Sequence, residues 1–84
     1  MSYTVVWLPA VERRLTELWM AAADRQSIAD AADTIDGLLR RSPSSVGESR
    51  ARGIRILLQK PLGVLYRVHE ADRRVVVGHM WQYR

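Results

Sequence analysis

The chain has 84 residues, a formal net charge of +4, 48% hydrophobic and 26% charged residues, and no cysteine. That length has room for one domain and buries only roughly 60 to 65% of the surface exposed on unfolding, so the core is small and shared among few elements. The composition is that of a folded protein; disulfides and thiolate zinc sites are excluded, and no apolar run approaches the ~20 residues of a membrane span.

Residues 3–8, YTVVWL, are β-branched and aromatic and are stopped by Pro9, which predicts a short strand leading into a helix. The segment MSYTVVWLP lacks the basic start and cleavage site of a secretory signal, so a soluble, cytoplasmic protein is the expectation. From residue 10 to about residue 23, Val11, Leu15, Leu18, Trp19 and Ala22 recur at three- and four-residue intervals, with Glu12, Arg13, Arg14 and Glu17 opposite them. This is an amphipathic helix, and Trp7 and Trp19 read as core. Asp24 is a suitable N-cap for a second helix with the stripe Ile28, Ala31, Ala32, Ile35, Leu38 and Leu39. Arg40 and Arg41 complement the dipole in its last turn, and Asp30, Asp33 and Asp36 read as its solvated face. So short a joint between two one-sided helices implies an antiparallel hairpin.

SPSSVGESRARG, residues 42–53, reads as a loop. IRILLQK (54–60), VLYRVH (64–69) and RVVVGHMW (74–81) follow as strands with short turns, an antiparallel meander. The order β-α-α-β-β-β predicts an α+β fold over residues 1–84, a helical hairpin packed on one face of a small, mainly antiparallel four-stranded sheet. The other face stays open.

Pairing His69 with Arg74 sets Val68 opposite Val75, Tyr66 opposite Val77 and Val64 opposite His79. Unbroken alternation then turns Val64, Tyr66, Val68, Val75, Val77, His79 and Trp81 toward the helices. Leu65, Arg67, His69, Val76, Gly78, Met80, Gln82 and Arg84 fall on the open face, where Arg55 is expected to join them. Residues 43–84 hold eight of the thirteen basic residues and only three of the nine acidic ones. Twelve of the thirteen are arginine, whose planar fork suits phosphate and carboxylate. A basic, partly apolar concavity for a polyanion or an acidic protein follows. His69 and His79 fall on opposite faces, which argues against a metal site, and no GxSxG elbow, P-loop or GxGxxG calls for a nucleophile or cofactor.

The YTVVW strand, the helix ending LLRRSP, the GIRILL strand and the closing LGVLYRVHEADRRVVVGHMWQYR together resemble the RelE/ParE superfamily of bacterial toxins from type II toxin-antitoxin modules, over nearly the whole chain. The resemblance implies a small basic toxin neutralised by a cognate antitoxin. RelE-like members are endoribonucleases that cleave ribosome-bound mRNA with basic residues on the open sheet face and a late tyrosine or histidine; ParE-like members poison DNA gyrase. Carried onto this chain, Arg84 falls at the arginine of the closing motif with Gln82 near its histidine. Arg55 lies in a strand that bears catalytic basic residues, and Arg67 stands in for another. Arg55, Arg67, Arg84 and Tyr83 are the candidate catalytic residues, and Leu65, His69, Met80 and Gln82 the candidate partner face, for an antitoxin or a homodimer. The alternative is a non-catalytic module that binds a protein or RNA on the same face.

Overall fold

The computed structural model describes residues 2–84. The elements run β1 (Thr4–Trp7), α1 (Pro9–Ala21), α2 (Arg25–Arg41), β2 (Glu48–Ala51), β3 (Ile54–Gln59), β4 (Leu62–His69) and β5 (Arg74–Gln82). They form one sheet in the order β1-β5-β4-β3-β2, with β1 parallel to β5 and every other pair antiparallel. The sheet therefore has five strands rather than the expected four. The extra one, ESRA, lay inside the presumed loop, where serine, charge and a nearby glycine masked a short edge strand with all four side chains exposed.

Both helices start and stop for local reasons. Pro9 opens α1, where its missing N–H costs nothing, and Ala22 turns to extended backbone to end it. Asp24 caps α2 by accepting from the Ser27 amide at 3.1 Å and the Ser27 hydroxyl at 2.6 Å. Those bonds, the hydroxyl's first, hold the Asp24 carboxyl below its usual range. The α2 stripe Ile28, Ala31, Ile35 and Leu39 is buried, at spacings of three and four.

The core lies between this stripe and one side of the sheet. Leu62, Val64, Tyr66, Val75 and Val77 have no exposed surface there. Each such aliphatic side chain stabilises the fold by roughly 1.5–3 kcal/mol relative to exposure. Tyr66 adds a polar tether, its hydroxyl lying 2.7 Å from the Pro43 carbonyl and 3.0 Å from that of Val46. Burial pushes its pKa up, against a smaller lowering by Arg55.

The register between β4 and β5 starts as expected, with His69 opposite Arg74, Val68 opposite Val75 and Tyr66 opposite Val77. It then shifts. Leu65 pairs with His79 and Val64 with Met80, leaving Gly78 as the extra residue of a β-bulge. One inserted residue reverses the facing of everything after it. Met80, 3% exposed, is in the core, and His79 and Trp81 are turned to the other side, each the reverse of the sequence expectation. The exchange is favourable because an apolar thioether fills the core where an imidazole would need a buried hydrogen-bond partner.

Candidate functional site

Pairing defines the open face. β3 contributes Ile54, Ile56 and Leu58; β4 contributes Gly63, Leu65, Arg67 and His69; β5 contributes Arg74, Val76, His79 and Trp81. Its middle is aliphatic and aromatic. Leu58 is 56% exposed, Ile54, Ile56, Leu65, Val76 and Trp81 are half-buried, and His79 and Arg67 stand clear. The Trp81 indole lies directly over Gly63, whose hydrogen is the only substituent that fits, since a Cβ there would collide with the ring. His79 sits beside the indole, ring centroids 5.8 Å apart and planes tilted by 33°. The pair forms an aromatic ridge next to Leu65.

The expected arginine cluster does not assemble. Arg67 is on the open face, opposite Ile54 and Val76. Arg55 pairs with Tyr66 on the helix side, where its Nε donates to the Val46 carbonyl at 3.1 Å and its Nη2 to the Gly47 carbonyl at 3.3 Å. It clamps the loop after α2. Arg84, carried past the bulge, lines a cleft with Gln82, Pro61 and the α1–α2 joint at Ala22, Asp24 and Ser27. Arg84 and Gln82 thus lie on the helix side, a correction to their expected place. Tyr83 continues the alternation toward the open side, and its amide donates to the Pro61 carbonyl at 2.8 Å. Of the residues proposed from sequence, Arg67, Leu65 and His69 share the open face, Tyr83 follows on that side past the end of β5, and Met80 is withdrawn into the core.

His79 and Trp81 are the functional candidates that parity concealed. The signal was Gly78, since a glycine inside an otherwise β-branched strand marks a bulge. The two histidines therefore share a face, contrary to the parity argument made against a metal. They are held apart instead, because His79 pairs with Leu65 and four residues of strand, about 13 Å, separate Leu65 from His69. No group of three or more metal-ligating side chains occurs among the described residues.

At one end of the face Glu70 is a junction. It accepts from the Ser44 hydroxyl at 2.7 Å and the Tyr3 hydroxyl at 2.8 Å, tying the β4–β5 turn to the N-terminal strand and to the loop after α2. These bonds, Ser44 first, hold its carboxyl below the usual range, and the same contact with Glu70 raises the Tyr3 phenol. The Arg73 guanidinium lies 5.3 Å from the Tyr3 ring centre.

The sequence matches no protein-family model and no curated protein. Solved structures do match. A chain of the RelBE2 toxin-antitoxin complex from Mycobacterium tuberculosis superposes with a TM-score of 0.80 at 24% identity, covering 98% of this chain and 92% of that one. A chain of the chromosomal ParDE TA system from P. aeruginosa gives 0.74 at 13% identity, covering 98% and 97%. The fold is RelE/ParE-like. No helix among the described residues is long and apolar enough to cross a membrane.

Proposed function

We propose that the chain is the toxin component of a type II toxin-antitoxin module, that a cognate antitoxin neutralises it, and that it acts by gripping a protein target with its open sheet face. The fold shared with chains of two toxin-antitoxin assemblies supports the first part. One observation carries the last: the open face is an aliphatic and aromatic surface with arginine at its margin, while Arg55 and Arg84, two of the three cations a phosphate-cleaving centre would need, are engaged or placed elsewhere. Aromatic and arginine side chains on one exposed face are the residue types enriched at protein–protein interfaces. RNA cleavage asks instead for several cations converging on one phosphate. DNA gyrase is the target this reading names.

A second reading, ribosome-dependent cleavage of mRNA, draws on His79, Trp81 and Arg67 standing on one face, an imidazole, a stacking surface and a cation. Two assays with the purified chain separate the readings. Inhibition of gyrase supercoiling, lost in Trp81→Ala and Arg67→Ala, is the expected result. Ribosome-dependent mRNA cleavage with unimpaired supercoiling would replace the first reading by the second, and expression without growth arrest at high soluble yield would count against both.

A further inference from the structure

The arginines of this chain are not equally occupied. Arg14, Arg40 and Arg50 pair with Glu17, Asp36 and Glu48. Arg55 clamps the loop after α2, and Arg73 lies over the Tyr3 ring. Arg25 donates to the Met20 carbonyl at 3.2 Å and lies 4.6 Å from the ring centre of Trp19, which is 40% exposed rather than in the core as expected. Arg52, Arg67 and Arg74 enter no ion pair and no side-chain hydrogen bond among the described residues, and all three are exposed.

Strand pairing gathers these three at one end of the sheet. Ile54 opposite Arg67 fixes the β3–β4 register, and the Val68 amide donates to the Gly53 carbonyl at 2.9 Å, so the register runs on into the turn and sets Arg52 level with His69. His69 in turn pairs with Arg74. Arg52, His69 and Arg74 therefore form a row across the ends of β3, β4 and β5, roughly 10 Å long at the backbone, with Arg67 two residues, about 7 Å, inside it. Glu70 is committed to Ser44 and Tyr3, which leaves Asp72, in the same turn, to oppose the row.

Cations placed in this way suit a line of phosphates. They are spread along a row instead of converging on one point, and none of the three lines the larger clefts of the molecule, where an extruded nucleotide could be enclosed. The main stacking surface is distant. Trp81 pairs with Gly63, six residues of strand or about 20 Å from His69, and His69, half-buried, is the one ring in the row. Single-stranded RNA is recognised largely by stacking unpaired bases on such rings, whereas a duplex backbone is held by cations without them.

We infer that Arg52, Arg67 and Arg74 form a contact site for the phosphate backbone of duplex DNA, bound without regard to sequence. The site goes beyond the toxin reading and is separable from it. It lies at the end of the face whose aromatic middle grips a protein in that reading, so a target that itself carries duplex DNA would be held at two points. Alone, three phosphate contacts give weak binding, with a Kd of roughly 10⁻⁴–10⁻⁶ M.

Fluorescence anisotropy of a labelled duplex of about 16 base pairs, titrated with the full chain between about 20 and 150 mM salt, tests the site in the absence of gyrase. Two duplexes of unrelated sequence are expected to bind alike, with log K falling against log salt at a slope of about −3, since each neutralised phosphate contributes roughly −0.9. Arg67 is shared with the gripping face, so the variants are at the other two positions. Arg52→Gln and Arg74→Gln are each expected to flatten the slope by about one and to weaken binding about three- to tenfold at low salt, with amide spectra that match the parent's elsewhere. Arg13→Gln removes the same charge from an exposed position on α1 and is expected to change neither, while Asp72→Asn is expected to tighten binding. Equal weakening by Arg13→Gln, tighter binding of single-stranded RNA of the same length, a slope near zero, or no binding would each overturn the inference. Duplex binding with the expected slopes supports it whether or not supercoiling is inhibited, so the two readings fail separately.

Discussion

The two sides of the sheet are built from nearly the same residue types and end in different states. On the helix side Leu57, Leu62, Val64, Tyr66, Val75, Val77 and Met80 are buried. On the open side Ile54, Ile56, Leu58, Leu65, Val76 and Trp81 are half-buried or exposed. Hydrophobicity alone therefore does not assign a side. Facing is decided by the parity of each strand, and on β5 by a single inserted residue, Gly78. The same residue types stabilise the fold on one side and offer binding area on the other.

The sharpest way to break this contrast is a pair of neighbours beyond the bulge. Met80→Ala removes a side chain from the packed core and is expected to cost about 2–5 kcal/mol in urea unfolding. His79→Ala, on the exposed side, is expected to stay within about 0.5 kcal/mol of the parent. Equal costs would mean that the two faces are not distinguished as described. Gly63→Ala comes next. The new methyl group meets the Trp81 indole, and a loss of about 1–3 kcal/mol, with a shifted tryptophan emission, is expected. Tyr66→Phe keeps the core volume but removes the hydroxyl that meets Pro43 and Val46. It is expected to cost about 0.5–1.5 kcal/mol and to loosen the loop after α2, seen as faster amide exchange there.

Much of the fold could be read from residues whose signals are local. Pro9, the Asp24 cap and the Ile28–Ala31–Ile35–Leu39 spacing placed both helices, and the short turn between His69 and Arg74 fixed the start of the hairpin register. The candidate site was less legible, because its membership depends on cumulative counting along strands. A glycine whose bulge moves the register by one put Met80 and Arg84 on the wrong side and hid His79 and Trp81. Arg55 failed for a different reason. Its side is set by pairing with Tyr66 across the β3–β4 turn, and its ligands are loop carbonyls at Val46 and Gly47 that no side-chain pattern announces. β2 was missed because four exposed residues carry no hydrophobic alternation.

The smallest expected effect lies at the Glu70 junction and depends on pH. Its folded carboxyl pKa is depressed by Ser44 and Tyr3, so the stabilisation it supplies is present above the unfolded value and is lost as pH falls through the folded one. The Tyr3 phenol, raised by the same contact, contributes below its unfolded pKa and loses that contribution above about pH 10. The stability gap between the parent and Glu70→Gln is thus expected to be open at pH 7 and to narrow at pH 3, in urea titrations at the two values. A gap independent of pH would show that the hydrogen bonds do not depend on the carboxylate's charge.

The facing of β5 beyond Gly78 underlies both the core and the proposed binding surface, and a chain without cysteine allows it to be measured cleanly. Single variants His79→Cys, Met80→Cys and Trp81→Cys, exposed in the folded state to a thiol reagent, report which side each position occupies. Modification of His79→Cys and Trp81→Cys at least about tenfold faster than of Met80→Cys is the expected result. Rapid modification of Met80→Cys with protection of the other two would restore the unbroken ladder, return Arg84 to the open face, and remove the basis for the surface described.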